Sequence, residues 1–176
     1  MDIIDLYRYA WTDRSEAFGA RVFSLLMAES PFDMGAILTS PLDDARYIDA
    51  HFHGFDDAAT VLESWGAVRG LNPWEQEIVT HPRRACVQST DEPRLAVASL
   101  KPLREHLQRF GIRHALGVAL PQPDAELATG IVGGRRREGA CSEAERLSLE
   151  RVVPHVAEAM MINRAIGLGQ GPLSGR

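Results

Sequence analysis

Two apolar runs of strand length, residues 112–120 and 127–136, stand on either side of Pro121-Gln122-Pro123-Asp124. So short a connection joins antiparallel neighbours, because a parallel pair needs a crossover of about a dozen residues or more. The same arrangement occurs near the N-terminus. Residues 34–39 form an apolar strand-like run, 41–44 read as a turn, and 46–53 alternate Tyr47, Asp49, His51 and His53 against Ile48, Ala50 and Phe52. That alternation is the pattern of a half-buried antiparallel strand, polar on one face and apolar on the other. Two hairpins separated by helical segments predict an α+β fold, an antiparallel sheet flanked by helices.

The helical segments follow from their caps. Residues 1–9 read as a short helix, and Asp13 with Glu16 three residues on looks like a capping box for a second helix that Ser30-Pro31 stops. Asp56 or Asp57 caps a helix to about Val68, and Asn72-Pro73 opens a short one through Trp74 and Ile78. After a short strand at 85–90, Ser99 is expected to cap a helix over 100–110 with Gly111 at its end. Ser142 and Glu145 form a capping box for a long C-terminal helix to about Ile166, bent where Pro154 removes a backbone donor. One face of that helix carries Leu149, Val152, Val153, Val156 and Met160, and the opposite face Glu143, Arg146, Glu150, Arg151 and Glu158. Beyond Glu158 the outward positions turn apolar at Met161, Ile162 and Ala165. A second copy of this helix, or the N-terminal helices, is expected to cover them. Residues 1–166 therefore read as one domain, and 167–176 as a linker-like tail.

Composition narrows the function classes. A chain of 176 residues can bury a core without disulfide or metal support, and Cys86 and Cys141 read as two reduced thiols in a cytoplasm. A net charge of −5 argues against nucleic-acid binding by the overall field, and no apolar run approaches the ~20 residues of a membrane span. The acidic N-terminus does not resemble an export signal.

The residue groups that suggest chemistry each have a plainer reading. His51 and His53 lie on one strand face, about 7 Å apart, but no motif supplies further metal ligands, and partly exposed sheet residues are the simpler account. Cys86 has no partner placed by the sequence and reads as a buried thiol, and no nucleophile elbow is present. Gly130, Gly133 and Gly134 sit in a strand rather than ahead of a helix, which suggests a twist or bulge and not a phosphate loop. Arg135-Arg136-Arg137 reads as a solvated strand end. Tyr47, Phe52, Trp65 and Trp74 gather where regular structure is thin, which suits either a small-molecule pocket over the sheet or ordinary core.

The run Leu107-Gln108-Arg109-Phe110-Gly111-Ile112-Arg113-His114-Ala115-Leu116-Gly117 resembles a segment of the N-terminal sensor domains of LuxR-type helix–turn–helix transcriptional regulators. So do Gly134-Arg135-Arg136, Cys141-Ser142-Glu143-Ala144-Glu145 and Val152-Val153-Pro154-His155-Val156-Ala157-Glu158-Ala159, and Asn72-Pro73-Trp74 is similar to the family's Asp-Pro segment beside its pocket. The resemblance implies a GAF- or PAS-like sheet with a small-molecule cavity and a long C-terminal helix that makes a dimer contact. It implies a cytoplasmic, non-enzymatic regulatory domain with no cofactor, a small apolar or amphipathic ligand, and DNA contact only through a helix–turn–helix domain not present in this chain. Three positions depart from the family. Tyr47-Ile48-Asp49-Ala50-His51 stands in the region of its Trp-x-x-x-Tyr pair, Asn72 replaces the acid that meets the lactone amide, and Cys141 replaces an aromatic. The first two weigh against an acyl-homoserine lactone. The expected pocket lining is Tyr47, His51, Trp65, Asn72, Trp74 and Cys86, and the expected dimer contact is Val156, Met160, Met161 and Ile162. The rival readings are a small enzyme on the same scaffold using Cys86 or a histidine, and a ligand-free interaction adaptor.

Overall fold

The two hairpins do form, and they join side by side into a single sheet. The computed structural model describes residues 2–30, 32–41, 47–121, 127–136 and 139–169. The expected turn residues 42–44 and 122–124, Arg137 and the tail from Gln170 lie outside these. Strands β1 (Met34–Pro41), β2 (Asp49–His53), β3 (Cys86–Ser89), β4 (His114–Pro121) and β5 (Leu127–Arg135) pair antiparallel in the order β2-β1-β5-β4-β3. The helices are α1 (Ile3–Thr12), α2 (Ser15–Glu29), α3 (Ala58–Val68), α4 (Pro73–Thr80), α5 (Lys101–Arg109) and α6 (Glu143–Gly169). The fold is the expected α+β type.

Helices α1, α2 and α6 cover one face of the sheet. Successive strand residues point to opposite faces, and the register sets Ile37, Ile131 and Val118 in a row on this side. They pack with Leu6, Phe18, Val22, Val153, Val156 and Met160 in one buried cluster. Each such side chain contributes about 1.5–3 kcal/mol on leaving water. The buried Asn163 ties α6 to the end of α1, donating to the carbonyls of Ala10 at 2.9 Å and Asp13 at 2.8 Å. Tyr7 adds a second tie, its hydroxyl donating to the Glu158 carboxylate at 2.5 Å beside His155. The apolar far end of α6 thus gains cover from the N-terminal helices. Val156 and Met160, expected in a dimer contact, are 0% and 3% exposed within the single chain.

Several local expectations are corrected by packing. Asp13 ends α1 instead of capping α2, and its carboxylate takes an ion pair from Arg21 at 2.5 Å. Ser99 lies in a one-turn 3-10 segment ahead of α5, which begins at Lys101 without a side-chain cap. The polar face of β2 is not left to water: Asp49, His51 and His53 turn toward α2, where His53 stacks on Phe23 at 5.6 Å. Gly19 allows this approach, since a Cβ there would overlap the His51 ring. β5 runs without a bulge through Gly133 and Gly134. Gly133 is needed because the Phe32 ring lies directly over it. Helix α6 continues through Gly169, into the segment expected to be linker.

Arg135 is buried rather than solvated. Its guanidinium pairs with Glu145, whose other oxygen accepts from the Ser142 backbone at 2.6 Å, while Ser142 Oγ accepts from the Glu145 backbone at 3.3 Å. The expected capping box therefore also holds the end of β5. Partial burial pushes the Glu145 carboxyl up, but the Ser142 bonds and Arg135 outweigh it and leave the pKa below the ordinary glutamate value.

Two measurements check this account. Gly133→Ala should cost about 1–3 kcal/mol in urea unfolding through its clash with Phe32. Gly130→Ala, whose Cβ would come no nearer than 3.9 Å to another atom, should be neutral or stabilising. Glu145→Gln strands a buried guanidinium and should cost about 2–4 kcal/mol at pH 7. Because the folded pKa is lowered, Glu145 contributes fully above the unfolded value of about 4.3 and loses that contribution as pH falls below it. The Gln variant should show a shallower fall in stability over that acid range.

Candidate functional site

The second face of the sheet carries small side chains. Ala115, Gly117 and Ala119 on β4 lie beside Gly134, Val132 and Gly130 on β5, with Ala36 and Leu38 of β1 next in the row. Over this floor stand α3, α4 and α5, and between the two lies a cavity of about 650 Å³. Pockets that hold small organic molecules span roughly 300–1,000 Å³. The cavity exists because the floor is low: larger residues at these positions would meet the helices, as they do on the opposite face.

The roof is aromatic. Phe52, Phe55, Phe110, His106 and Trp65 form a chain of rings with successive centroids 6.1, 6.4, 4.9 and 5.6 Å apart. Trp65 Nε1 donates to the Tyr47 hydroxyl at 3.1 Å, and the Arg69 guanidinium lies 5.5 Å from the Tyr47 ring centroid while pairing with Glu75 at 2.6 Å. Burial pushes the Tyr47 phenol up, which keeps it protonated at neutral pH. Asn72 caps α4, its side-chain oxygen accepting from the Trp74 backbone at 3.1 Å. This cap and Pro73 at the first helical turn set α4 against the cavity edge.

Three of the six residues expected to line a pocket, Tyr47, Trp65 and Asn72, stand in the cavity wall. The other three lie elsewhere. His51 is on the α2 side of the sheet, 3.2 Å from the Asp49 carboxylate, because strand pleating turns it away from the cavity-side neighbours Ala50 and Phe52. Trp74, 1% exposed, points into a second buried cluster with Val68, Leu95, Leu103 and Leu107, and the Arg94 guanidinium sits 4.8 Å from its ring centroid. Cys86 belongs to that cluster too. Burial and the nearby Glu77 push its thiol up to about 12, so it carries no thiolate at neutral pH and is a poor nucleophile.

The cavity wall also contains residues that the sequence reading did not assign to a pocket: Phe55, Gln88, His106, Leu107 and Ile112. His106 is 5% exposed and its Nδ1 lies 2.8 Å from the Ser64 hydroxyl. Burial, aided by Arg109, lowers its pKa and keeps the imidazole neutral. A signal existed for His106, since it follows Leu103 by three residues and precedes Phe110 by four, the spacing of one helix face. The low floor had one too, in the period-two runs Ala115-Gly117-Ala119 and Ala128-Gly130. Among the described residues there is no group of three His, Cys, Asp or Glu that could hold a metal, and no helix long and apolar enough to cross a membrane.

No protein-family model matches the chain, and no curated protein matches it in sequence. Solved structures do match in shape. CepR2 from Burkholderia cenocepacia, an N-acylhomoserine lactone dependent LuxR-family transcription factor, aligns with a TM-score of 0.60 at 14% identity, over 91% of this chain and 90% of that one. SdiA of Escherichia coli, in complex with octanoyl-rac-glycerol, aligns with a TM-score of 0.59 at 16% identity, over 90% of this chain and 64% of that one. The phycoerythrobilin-bound GAF domain of a cyanobacterial phytochrome aligns with a TM-score of 0.61 at 14% identity, over 94% of each chain. At such identities the likeness is one of fold: this chain has the GAF-like fold of the LuxR-type ligand-binding domains.

Proposed function

We propose that this chain is a non-enzymatic sensor domain of a LuxR-type transcriptional regulator, binding a small apolar or amphipathic molecule between the sheet and its aromatic roof. The observation that carries this reading is the cavity of about 650 Å³, walled by Phe52, Phe55, Trp65 and Leu107 over a floor of Gly and Ala. A filled interior would have favoured an adaptor instead. The high thiol pKa of Cys86 weighs against an enzyme built on that residue. The structural likeness to CepR2 and to SdiA with its bound acylglycerol supports a ligand of this kind.

The domain spans residues 1–166 and works as a cytoplasmic homodimer. DNA contact belongs to a helix–turn–helix unit outside these 176 residues. The dimer surface is drawn from Met161 and Ile162, half-exposed on α6, together with Ile4 and Trp11, which are 76% and 66% exposed on α1. Ile4 and Trp11 share a helical face with Tyr7, which reaches Glu158 one turn before Ile162. A ligand that favours one dimer geometry shifts the population toward it and changes how the chain beyond α6 is presented.

Native mass spectrometry of the purified chain tests the reading. A dimer that sheds a small molecule on denaturation supports it, and a ligand-free monomer argues against it. The cavity assignment has its own check with the neutral hydrocarbon 2-isopropylnaphthalene. Wild type should bind it saturably. Gly130→Leu, which places a side chain into the cavity from the floor, should weaken binding at least about tenfold with the fold retained, and Trp65→Ala should weaken it less. Combined Trp11→Lys and Met161→Glu should shift sedimentation toward monomer without altering that affinity. An undiminished dimer would remove both residues from the interface.

A further inference from the structure

The two roof helices α3 and α5 meet at a titratable side chain. His106 of α5 is buried in the cavity wall, and its Nδ1 lies 2.8 Å from the Ser64 hydroxyl of α3. Its ring packs on Trp65 of α3 and on Phe110, at centroid distances of 5.6 and 4.9 Å. The surrounding charges give an imidazolium no support. Arg109, on the same helix, disfavours it, and acts also on the Asp57 carboxylate at the cap of α3. Glu63 of α3 and Glu105 of α5 are exposed, Glu105 pairing with Lys101 at 3.6 Å, and neither acts on the ring. Arg104 donates to the carbonyls of Leu95 and Val97. Elsewhere in the wall the Tyr47 hydroxyl accepts from Trp65, and Arg69 pairs with Glu75 at 2.6 Å. Among the described residues no carboxylate is set against His106, so a charge there depends on water.

We propose that His106 is an acid-sensitive latch on the cavity: neutral, it lets the α3–α5 roof close on an apolar occupant, and protonated, it draws in water and the occupant leaves. This rests on the reading of the cavity as a ligand site and adds the regulation of that site. A neutral imidazole is one donor and one acceptor, and either tautomer suits a serine hydroxyl. In the cation both nitrogens donate. Ser64 Oγ can accept one of these hydrogens, while the other, together with the charge, needs a second polar partner. Water in an empty cavity supplies that partner, and a hydrocarbon in a filled one does not. Proton and occupant therefore exclude each other, each weakening the other by the same factor. Burial first and Arg109 second already lower the pKa of His106. Affinity is thus complete at neutral pH and is lost as pH falls through the His106 midpoint, by at most about tenfold per pH unit for one proton.

The test uses 2-isopropylnaphthalene, which has no titratable group, so any pH dependence of its binding belongs to the protein. Calorimetric titrations are run between about pH 8 and pH 5, over the range in which the far-ultraviolet dichroism stays native. Wild-type affinity should be level above about pH 6.5, the ordinary imidazole value, and should fall at least about fivefold by about pH 5. His106→Phe keeps a ring in the wall but cannot take up a proton. Whatever its affinity at neutral pH, its profile should be level over the same range. Should this variant fail to fold, proton spectra of the wild-type histidines decide the matter: a saturating amount of the hydrocarbon should move the His106 titration midpoint to lower pH. A level wild-type profile overturns the latch and leaves the cavity reading standing. So does an acid loss that persists in folded His106→Phe, or a His106 midpoint that the hydrocarbon does not lower. Failure of wild type to bind the hydrocarbon at any pH overturns the cavity reading and this inference together.

Discussion

In the central strands of the sheet the pleat sorts residues by size. Leu116, Val118, Leu120, Thr129 and Ile131 go to the side of α1, α2 and α6, while Ala115, Gly117, Ala119, Ala128 and Gly130 go to the other. The first set interlocks with helix side chains at close-packed density, and that side is where stability resides. The second set is too small to reach the overlying helices, so α3 and α5 stand off the sheet on their own aromatic residues. Stability and cavity are thus two consequences of one alternation. A change of register by a single residue would exchange them, burying glycine against α6 and filling the cavity with leucine and isoleucine.

The roof stands because its helices are fixed at their ends rather than by the floor beneath them. Asp57 caps α3 through the Thr60 backbone at 3.0 Å, and Asn72 caps α4. The second cluster, with Trp74 and Leu103 at its centre, anchors α4 and α5 at one side of the cavity. Trp74 therefore holds up the roof that Trp65 lines. The Arg104 guanidinium adds a brace by donating to the carbonyls of Leu95 and Val97 ahead of α5.

Those anchors explain what the sequence could convey. Local signals were readable where one residue's chemistry determines one backbone position. Asn72 before Pro73, Gly111 with φ +68, and Ser142 with Glu145 all occupy the expected roles. The strands of both hairpins were readable from their period. What could not be read was which layer faces which. The polar set Asp49, His51 and His53 looks like a solvent face, and only the small Gly19 on α2 allows a helix to close over it. Trp65 and Trp74 are equivalent as sequence signals, both aromatic residues in an irregular middle. A hydrogen bond to Tyr47 places one in the cavity wall, and a cap at Asn72 turns the other into the core. Arg135 looked solvated because its partner Glu145 lies ten residues on, across the chain's exit from the sheet.

That last pair also joins the two faces. β5 supplies cavity floor at Val132 and Gly134, and its next residue, Arg135, is held by the glutamate that caps α6. Arg135 directly follows the floor residue Gly134, and its contact with Glu145 links the floor to the cap of α6. In the proposed sensor, a displacement of the β5 end that accommodates an occupant would act directly on the first turn of α6. Further along, the Tyr7 and Asn163 ties hold α6 to α1 at Glu158 and Asn163. Pro154 lies between the cap and the second tie, at a position where α6 already lacks one backbone hydrogen bond. The helix can bend there at lower cost than elsewhere, so in the proposed sensor a displacement entering at Glu145 would become a change of direction at Pro154. The apolar stretch around Met161 and Ile162 lies beyond Pro154, on the part of α6 that packs against α1.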